Sequence, residues 1–186
     1  MGMNLSLRRL FVLSMIVVSL GVVSVYGITT LASVKPATSV PVRSVVTIPP
    51  LELTLELTKT EFEQGEPING TLSLKNVGNE SITITFGSLG SRFYFDVLDE
   101  NGTHVYTSEL ICPAAIEHLP LNPNEQITRT DTWGQIRNIW PTEYYLEQVP
   151  KGTYTIIGKS ERYSLEYPTD SLNDGLETAP ITITIK

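Results

Sequence analysis

Acidic residues are absent from the first fifty positions of this 186-residue chain, and all 20 Asp and Glu lie after them. Only nine of the 13 Lys and Arg share that later region, so residues 51–186 carry a net charge of −11. A nucleic-acid partner needs clustered bases that displace counterions, and an anionic membrane face repels an acidic domain. The composition therefore argues against both partners for this region and predicts a soluble, acidic surface.

Cysteine and histidine are almost absent. The lone Cys112 cannot form an internal disulfide, so the domain must depend on a packed apolar core. The two histidines, His104 and His118, show no metal-ligand spacing with Cys112. The chain also has no nucleophile elbow of the G-x-S-x-G type and no phosphate-binding glycine loop. We therefore expect no catalytic residues, no metal and no cofactor, which indicates that the protein is not an enzyme.

The amino-terminal region has a long uncharged run instead. Arg8 and Arg9 precede 25 uncharged, mostly apolar positions at 10–34. About 20 such residues span a membrane, whereas a cleavable signal usually contains roughly 7 to 15. We expect residues 1–34 to be an uncleaved signal-anchor, with a signal peptide cleaved near Thr30-Leu31-Ala32 as the alternative. Both place the remaining chain outside the cytoplasm, at the cell membrane as a single-pass protein or secreted.

A segment rich in Pro, Ser and Val follows at 35–50, and we predict that it is an extended linker. The alternative for part of it, Val42 to Ile48, is an added strand of a sheet. Three triplets that accept N-linked glycans begin at Asn69, Asn79 and Asn101. Because they lie on the predicted outer side of the membrane, we predict a glycoprotein.

Alternation of apolar and polar residues dominates the predicted domain at 51–186. Four leucines at every second position from Leu51 to Leu57 are typical of a strand with one buried face. Asn101-Gly102 is a strong hairpin signal. Further runs of the same kind lie at 68–74, 82–86, 93–97, 103–107, 119–121, 126–133, 153–159 and 181–185. Without helical periodicity after residue 50, we predict an all-β fold: an immunoglobulin-like antiparallel β-sandwich of about eight strands.

Short motifs along these runs carry a family resemblance. In chain order they are Ser73-Leu74-Lys75-Asn76, residues 93–99, Leu119-Pro120-Leu121, Asp131-Thr132-Trp133 and Val149-Pro150-Lys151-Gly152-Thr153-Tyr154. With this order and spacing, about residues 52–160 resemble the BsuPI-type intracellular proteinase inhibitor domain. The resemblance implies a cofactor-free β-sandwich, in a family whose founding member inhibits a serine proteinase. This chain departs from the family in its export leader and in the longer connection at 134–148.

We predict that the connection 134–148 binds the partner. Trp140, Tyr144 and Tyr145 are large aromatic residues, which bury much area at low entropic cost in binding loops. A lid over one end of the sandwich is the alternative interpretation. A second long connection, 161–178, is expected to lie beside it. Trp133, at the end of a strand, is predicted to pack in the core.

Three hypotheses for function follow. The first is non-enzymatic binding of a protein outside the cytoplasm, and the resemblance implies that this partner is a serine proteinase. The second is a structural or adhesive surface protein, in which Val42 to Ile48 inserts into a neighbouring subunit to build a strand-exchange filament. The third is an accessory domain of a membrane complex. The oligomeric state stays open in all three.

Overall fold

The described residues form β-strands joined by turns. The computed structural model describes residues 40–87, 92–108, 116–137, 147–165 and 173–186, which belong to one unit at 39–186. The predicted leader at 1–34 lies outside this part of the chain. Within it, no helix has the length and apolar character needed to cross a membrane. In chain order the described strands are β1 (Val42–Ile48), β2 (Leu51–Leu57), β3 (Glu61–Phe62), β4 (Ile68–Asn76), β5 (Ile82–Phe86), β6 (Phe93–Leu98), β7 (His104–Thr107), β8 (Glu117–Leu121), β9 (Gln126–Trp133), β10 (Ile136–Arg137), β11 (Glu147–Gln148), β12 (Gly152–Ser160), β13 (Tyr163–Ser164) and β14 (Ile181–Ile185).

Two sheets share one apolar core. The first has the order β1-β2-β4-β9, and the second has the order β3-β14-β12-β6-β7. The alternate leucines of β2 are fully buried in the same cluster as Phe95 and Val97 of β6, because every second side chain of a strand points to the same face. Gly158 of β12 permits close approach between the sheets, since a Cβ there would lie 2.9 Å from Leu72 Cδ2. The predicted all-β fold is confirmed, and its layers are sandwich-like.

One strand pair departs from the antiparallel prediction. β3 pairs with β14 in parallel, through Thr184↔Glu61 and Ile185↔Phe62. The chain leaves β2 in the first sheet, adds β3 to the edge of the second, and returns to β4 in the first. The fourteen described strands also outnumber the predicted eight or so: β1 is one addition, and β3, β10, β11 and β13 are four more that are only two residues long. Strands of that length are too short to show alternation.

The segment Val42–Ile48 forms β1 in the first sheet of its own chain. It pairs with β2 over its whole length, with Ile48 opposite Leu51 at the turn. Ser44 faces inward, and its hydroxyl donates a hydrogen bond to the Ala179 carbonyl at 2.6 Å. Of the two interpretations of this part of the linker, the added strand is the one that the structure shows.

The predicted hairpin at Asn101-Gly102 is present between β6 and β7. The carboxylate of Asp99 accepts the backbone N–H groups of Asn101 at 3.0 Å and Thr103 at 2.9 Å. Gly102 has a φ of +76°, which glycine adopts without steric cost. The turn therefore needs an Asp side chain at position 99 to accept backbone N–H groups and a glycine at position 102 for its positive φ.

Candidate functional site

The connection between β9 and β12 starts and ends in a short hairpin, which we call the stem (residues 134–137 and 147–149). β10 and β11 pair through Ile136↔Gln148 and Arg137↔Glu147. The connection at 138–146 therefore leaves the stem and returns to it at neighbouring positions. The predicted binding residues Trp140, Tyr144 and Tyr145 lie outside the described residues, so their role stays a prediction.

Gln135 attaches the stem to the turn between β3 and β4. Its side chain is fully buried, and its φ is 58°. Its Nε2 donates to the carbonyls of Glu63 and Glu66, both at 2.8 Å, and its Oε1 accepts the N–H of Gly65 at 2.7 Å. A buried amide whose polar atoms all have partners makes a local structure rigid instead of costing stability.

The second strand of the stem, residues 147–149, is attached to the same turn. The N–H of Val149 and the Nε2 of Gln148 donate to the carbonyl of Gln135, at 2.9 Å and 3.0 Å. The Nε2 of Gln64 donates to the carbonyl of Val149 at 3.1 Å. The two strands of the stem are thus hydrogen-bonded to each other and to the turn at 63–66.

An aromatic cluster packs next to the stem. The ring centroids of Tyr106 and Trp133 are 6.0 Å apart, and those of Trp133 and Tyr154 are 5.6 Å apart. Trp133 is fully buried, which confirms its predicted place in the core, and its Nε1 donates to the Ile136 carbonyl at 3.0 Å. The indole therefore supplies core packing and holds β10 in place.

Charges of both signs lie around Tyr154 at this end of the domain. Its hydroxyl donates to the Pro150 carbonyl at 2.7 Å. Burial raises the pKa of Tyr154, Arg137 opposes that rise, and Asp99 and Glu100 add to it. The turn between β6 and β7 and the stem thus lie near the same phenol.

The described parts of the second long connection, 161–165 and 173–178, lie next to the end of β12 that is away from the stem, which corrects the expectation that they lie beside 134–148. β12 begins next to the stem at Gly152 and ends at Ser160, so a nine-residue strand separates the two connections. That strand is about 30 Å long. Tyr163 is buried and pairs with Phe86 of β5, whereas Tyr167 lies outside the described residues.

The three predicted glycan acceptors are exposed. Asn79 and Asn101 lie in turns, after β4 and after β6. Asn69 lies in β4, where its Oδ1 accepts the hydroxyl of Thr132 at 2.7 Å. Glycosylation of all three stays a prediction, and Asn69 is the one whose side chain already takes part in a contact within the sheet.

The histidines lie in separate surroundings. His104 Nδ1 is 3.8 Å from Asp96 Oδ2, and His118 Nδ1 is 3.0 Å from Thr85 Oγ1. Cys112 lies outside the described residues. Across the described ranges, no group of three or more His, Cys, Asp and Glu side chains is arranged to hold a metal ion.

The family model described as BsuPI, intracellular proteinase inhibitor, matches residues 55–159. The chain belongs to this family. The BsuPI match runs from β2 to β12 and includes the stem and the connection it carries. The predicted resemblance is thereby confirmed. No curated protein matches the chain.

Three solved structures illustrate the more distant similarities of this BsuPI-family chain. A β-glucosidase from Listeria innocua in complex with isofagomine is 12% identical, with 79% of this chain and 16% of that chain covered and a TM-score of 0.36. The CARDB domain of a Pyrococcus furiosus protein in complex with di-metal ions is 15% identical, with 78% and 93% covered and a TM-score of 0.36. The sporulation control protein Spo0M of Bacillus subtilis is 12% identical, with 75% and 50% covered and a TM-score of 0.38. These TM-scores are below the level that indicates a common fold.

Proposed function

We propose that this BsuPI-family chain is a non-enzymatic protein that works outside the cytoplasm and inhibits a serine proteinase through the connection 138–146. Membership of a proteinase inhibitor family supports the general activity. The observation that carries the site is the stem, in which buried Gln135 holds both chains at the base of the connection. The proposed contact residues are Trp140, Tyr144 and Tyr145.

The physical reason is pre-organisation. Association costs free energy for every loop and side chain that becomes ordered at an interface. The paired positions Arg137 and Glu147 fix where the connection starts and ends before any partner binds. Complexes of proteinases with their inhibitors typically form with little backbone movement, and a fixed base favours such binding.

The first experiment measures inhibition directly. The purified full-length chain is titrated into a panel of serine proteinases that cleave a chromogenic peptide. We expect slower cleavage by at least one member, with an inhibition constant that does not change with incubation time. If no member is slowed while circular dichroism shows a folded β protein, the inhibitory function is wrong.

The second experiment locates the contact. Replacing Trp140, Tyr144 and Tyr145 together by Ala is expected to raise the inhibition constant about 30-fold or more, because aromatic residues dominate binding energy at interfaces. Ile116→Ala is the matched control, since Ile116 is an exposed apolar residue next to β8. Equal effects of the triple variant and the control would place the contact elsewhere.

The location outside the cytoplasm rests on the sequence. Arg8 and Arg9 ahead of the apolar run at 10–34 support export of the residues that follow. Intact cells carrying a carboxy-terminal epitope tag are treated with an added proteinase, and we expect the tag to be lost without lysis. A tag that is protected until lysis contradicts the proposal, and amino-terminal sequencing separates the anchor from the cleaved signal.

The two other hypotheses stay predictions. A filament subunit that donates Val42–Ile48 to a neighbour would have to withdraw β1 from its pairing with β2. An accessory role in a membrane complex is tested by purification from detergent, where the partners of such a complex would remain bound.

A further inference from the structure

The outer edge of β1 differs from the other sheet edges in the described part of the chain. In the five-stranded sheet, the edge strand β3 is two residues long and the edge strand β7 is four. A further sheet has the order β13-β5-β8; its edge strand β13 is two residues long, and β8 contains Pro120, which has no N–H to offer a neighbouring strand. The edge strand β9 carries two charged residues, Arg129 and Asp131, which bond each other at 2.7 Å and contact Ser108 at 3.1 Å and 2.8 Å. Charges of this kind protect an edge from pairing. β1 is seven residues long, and no described strand pairs with its outer edge.

Exposed apolar side chains are concentrated on and beside this strand. Of the five large apolar side chains exposed in the described residues, three are Val40, Val45 and Ile48, which are 78%, 43% and 50% exposed. Edge strands are commonly protected from pairing by charges or proline within the strand. β1 has a single charged residue, Arg43, and no proline. An edge of this kind is suited to pairing with another strand.

The strand is self-complementary when two copies run antiparallel about Val45, its central residue. Val42 of one copy then lies opposite Ile48 of the second copy, Arg43 opposite Thr47, and Val45 opposite Val45. In an antiparallel pair, alternate residues direct their N–H and C=O groups to one side. The odd-numbered residues of β1 and its even-numbered residues are each arranged symmetrically about Val45. The N–H and C=O groups on the outer edge of one copy therefore lie opposite those of the second copy and can form a full hydrogen-bonded ladder.

The charges agree with this arrangement. Thr47 is paired with Glu52 of β2 and donates to its carboxylate at 3.3 Å. Within its own copy, Arg43 donates to Thr54 Oγ1 at 3.1 Å and lies 3.9 Å from Glu52. In the pair it would face Thr47 of the second copy, with Glu52 of that copy one strand further on. Two strand spacings are about 10 Å, which extended Arg and Glu side chains can bridge. The symmetry produces this contact twice.

We propose that the chain forms a symmetric homodimer in which β1 pairs antiparallel with β1 of a second copy. The two four-stranded sheets then join into one continuous sheet of eight strands. β1 starts at the end of the domain where the stem lies, because Val42 pairs with Leu57, Leu57 pairs with Gly70, and Gly70 pairs with Asp131 just before the stem. The antiparallel arrangement directs the two stems to opposite ends of the dimer. The dimer does not depend on the proposed inhibition.

Disulfide trapping tests the register. In a Cys112→Ser background of the full-length chain, Val45→Cys is expected to give a covalent dimer on oxidation, because directly opposed residues have Cα atoms about 4.5 to 5.5 Å apart. Thr47→Cys is the matched control on the same face of the same strand. Its two copies are offset by four residues, about 13 Å, so it should stay monomeric on a non-reducing gel. Equal trapping of both variants, or none of Val45→Cys, overturns the proposal.

Sedimentation of the purified full-length chain gives a second, independent readout. The unchanged protein is expected to sediment with twice the chain mass, and Val45→Lys with the mass of one chain. Val77→Lys, at an exposed valine outside β1, should remain dimeric. Circular dichroism spectra of both Lys variants that match the spectrum of the unchanged protein would show that the fold is intact. An unchanged protein that sediments as a monomer at tens of micromolar contradicts the dimer.

Discussion

Two buried amides organise opposite ends of the domain. Gln135 and Asn76 are both fully inaccessible to solvent. The Nδ2 of Asn76 donates to the carbonyls of Glu80 at 2.8 Å and Leu121 at 3.1 Å, and its Oδ1 accepts the N–H of Gly78 at 2.9 Å. Gln135 makes an equivalent set of bonds to the turn at 63–66. Each amide supplies partners to backbone groups where the strand ladders end.

What the amides hold together differs. Asn76 connects two short turns, at 77–81 and 122–125, and its own backbone bonds Asn124 and Glu125 as well. Gln135 holds the base of the stem, from which the connection 138–146 leaves. A buried amide with all its polar atoms bonded thus has two roles in this domain. At one end Asn76 holds two turns together, and at the other end Gln135 holds a turn and the base of the proposed binding connection.

The largest effect is expected from Gln135→Ala. The variant leaves the carbonyls of Glu63 and Glu66 and the N–H of Gly65 without their present partner. We expect the free energy of unfolding, measured by urea denaturation, to fall by about 3–4 kcal/mol. Inhibition of the proteinase by the molecules that remain folded should weaken about tenfold or more. Unchanged inhibition would show that the stem does not support binding.

Asn76→Ala is expected to cost somewhat less stability and no function. Loss of its three side-chain bonds should lower the free energy of unfolding by about 2–3 kcal/mol. The inhibition constant of the folded molecules should stay the same, because Asn76 holds turns at the end away from the stem. Asn79→Ala, at an exposed turn position, is the control and should change neither quantity. Weaker inhibition by folded Asn76→Ala would contradict the claim that only Gln135 supports binding of the proteinase.

Trp133→Phe is expected to have a smaller effect, confined to the end of the domain where the stem lies. Phenylalanine keeps an aromatic ring but loses the hydrogen bond from Nε1 to the Ile136 carbonyl. We expect a loss of about 1–2 kcal/mol in the free energy of unfolding. Amide hydrogen exchange should quicken in the stem while the turn at 77–81 exchanges as before. Faster exchange at both ends would mean that the indole supports the whole core instead of β10.

The smallest effect is expected from the pH dependence of two ion pairs, one at each end. A hydrogen bond from Lys59 lowers the pKa of Glu66 near the stem, and a hydrogen bond from Arg92 lowers the pKa of Glu117 at the other end. Because both pKa values lie below 4.5 in the folded protein, each pair contributes stability above that pH. This stability is lost as pH falls through the lowered values.

Lys59→Ala and Arg92→Ala should therefore each flatten the fall in unfolding free energy between about pH 5 and pH 3. We expect a change of at most about 1 kcal/mol for each, since all four side chains are partly exposed. The effect of Arg92→Ala should be the larger, because its guanidinium contacts both oxygens of Glu117. If the unfolding free energy of the variants falls with pH as steeply as that of the unchanged protein, other carboxylates determine the pH dependence.

Most of the strands could be predicted because alternation is a local signal. The leucines of β2, for example, indicate both the strand and its buried face without knowledge of its neighbours. The parallel pairing of β3 with β14 could not, because two residues show no period and the partner lies more than a hundred positions away. Gln135 also escaped prediction. A single polar residue after Gly134 looks like any other loop position.

Local residue patterns were sufficient to predict the all-β fold of the described residues, the core position of Trp133, the Asn101-Gly102 turn and the family. Each depends on residue types that neighbours along the chain are sufficient to interpret. Three features depend on the tertiary structure: Val42–Ile48 joins the first sheet, the described residues 161–165 lie away from the stem, and Gln135 is buried among backbone groups of a distant turn. The physical reason is that hydrogen-bond partners of edge strands and loops are chosen by spatial proximity, which a one-dimensional pattern does not encode.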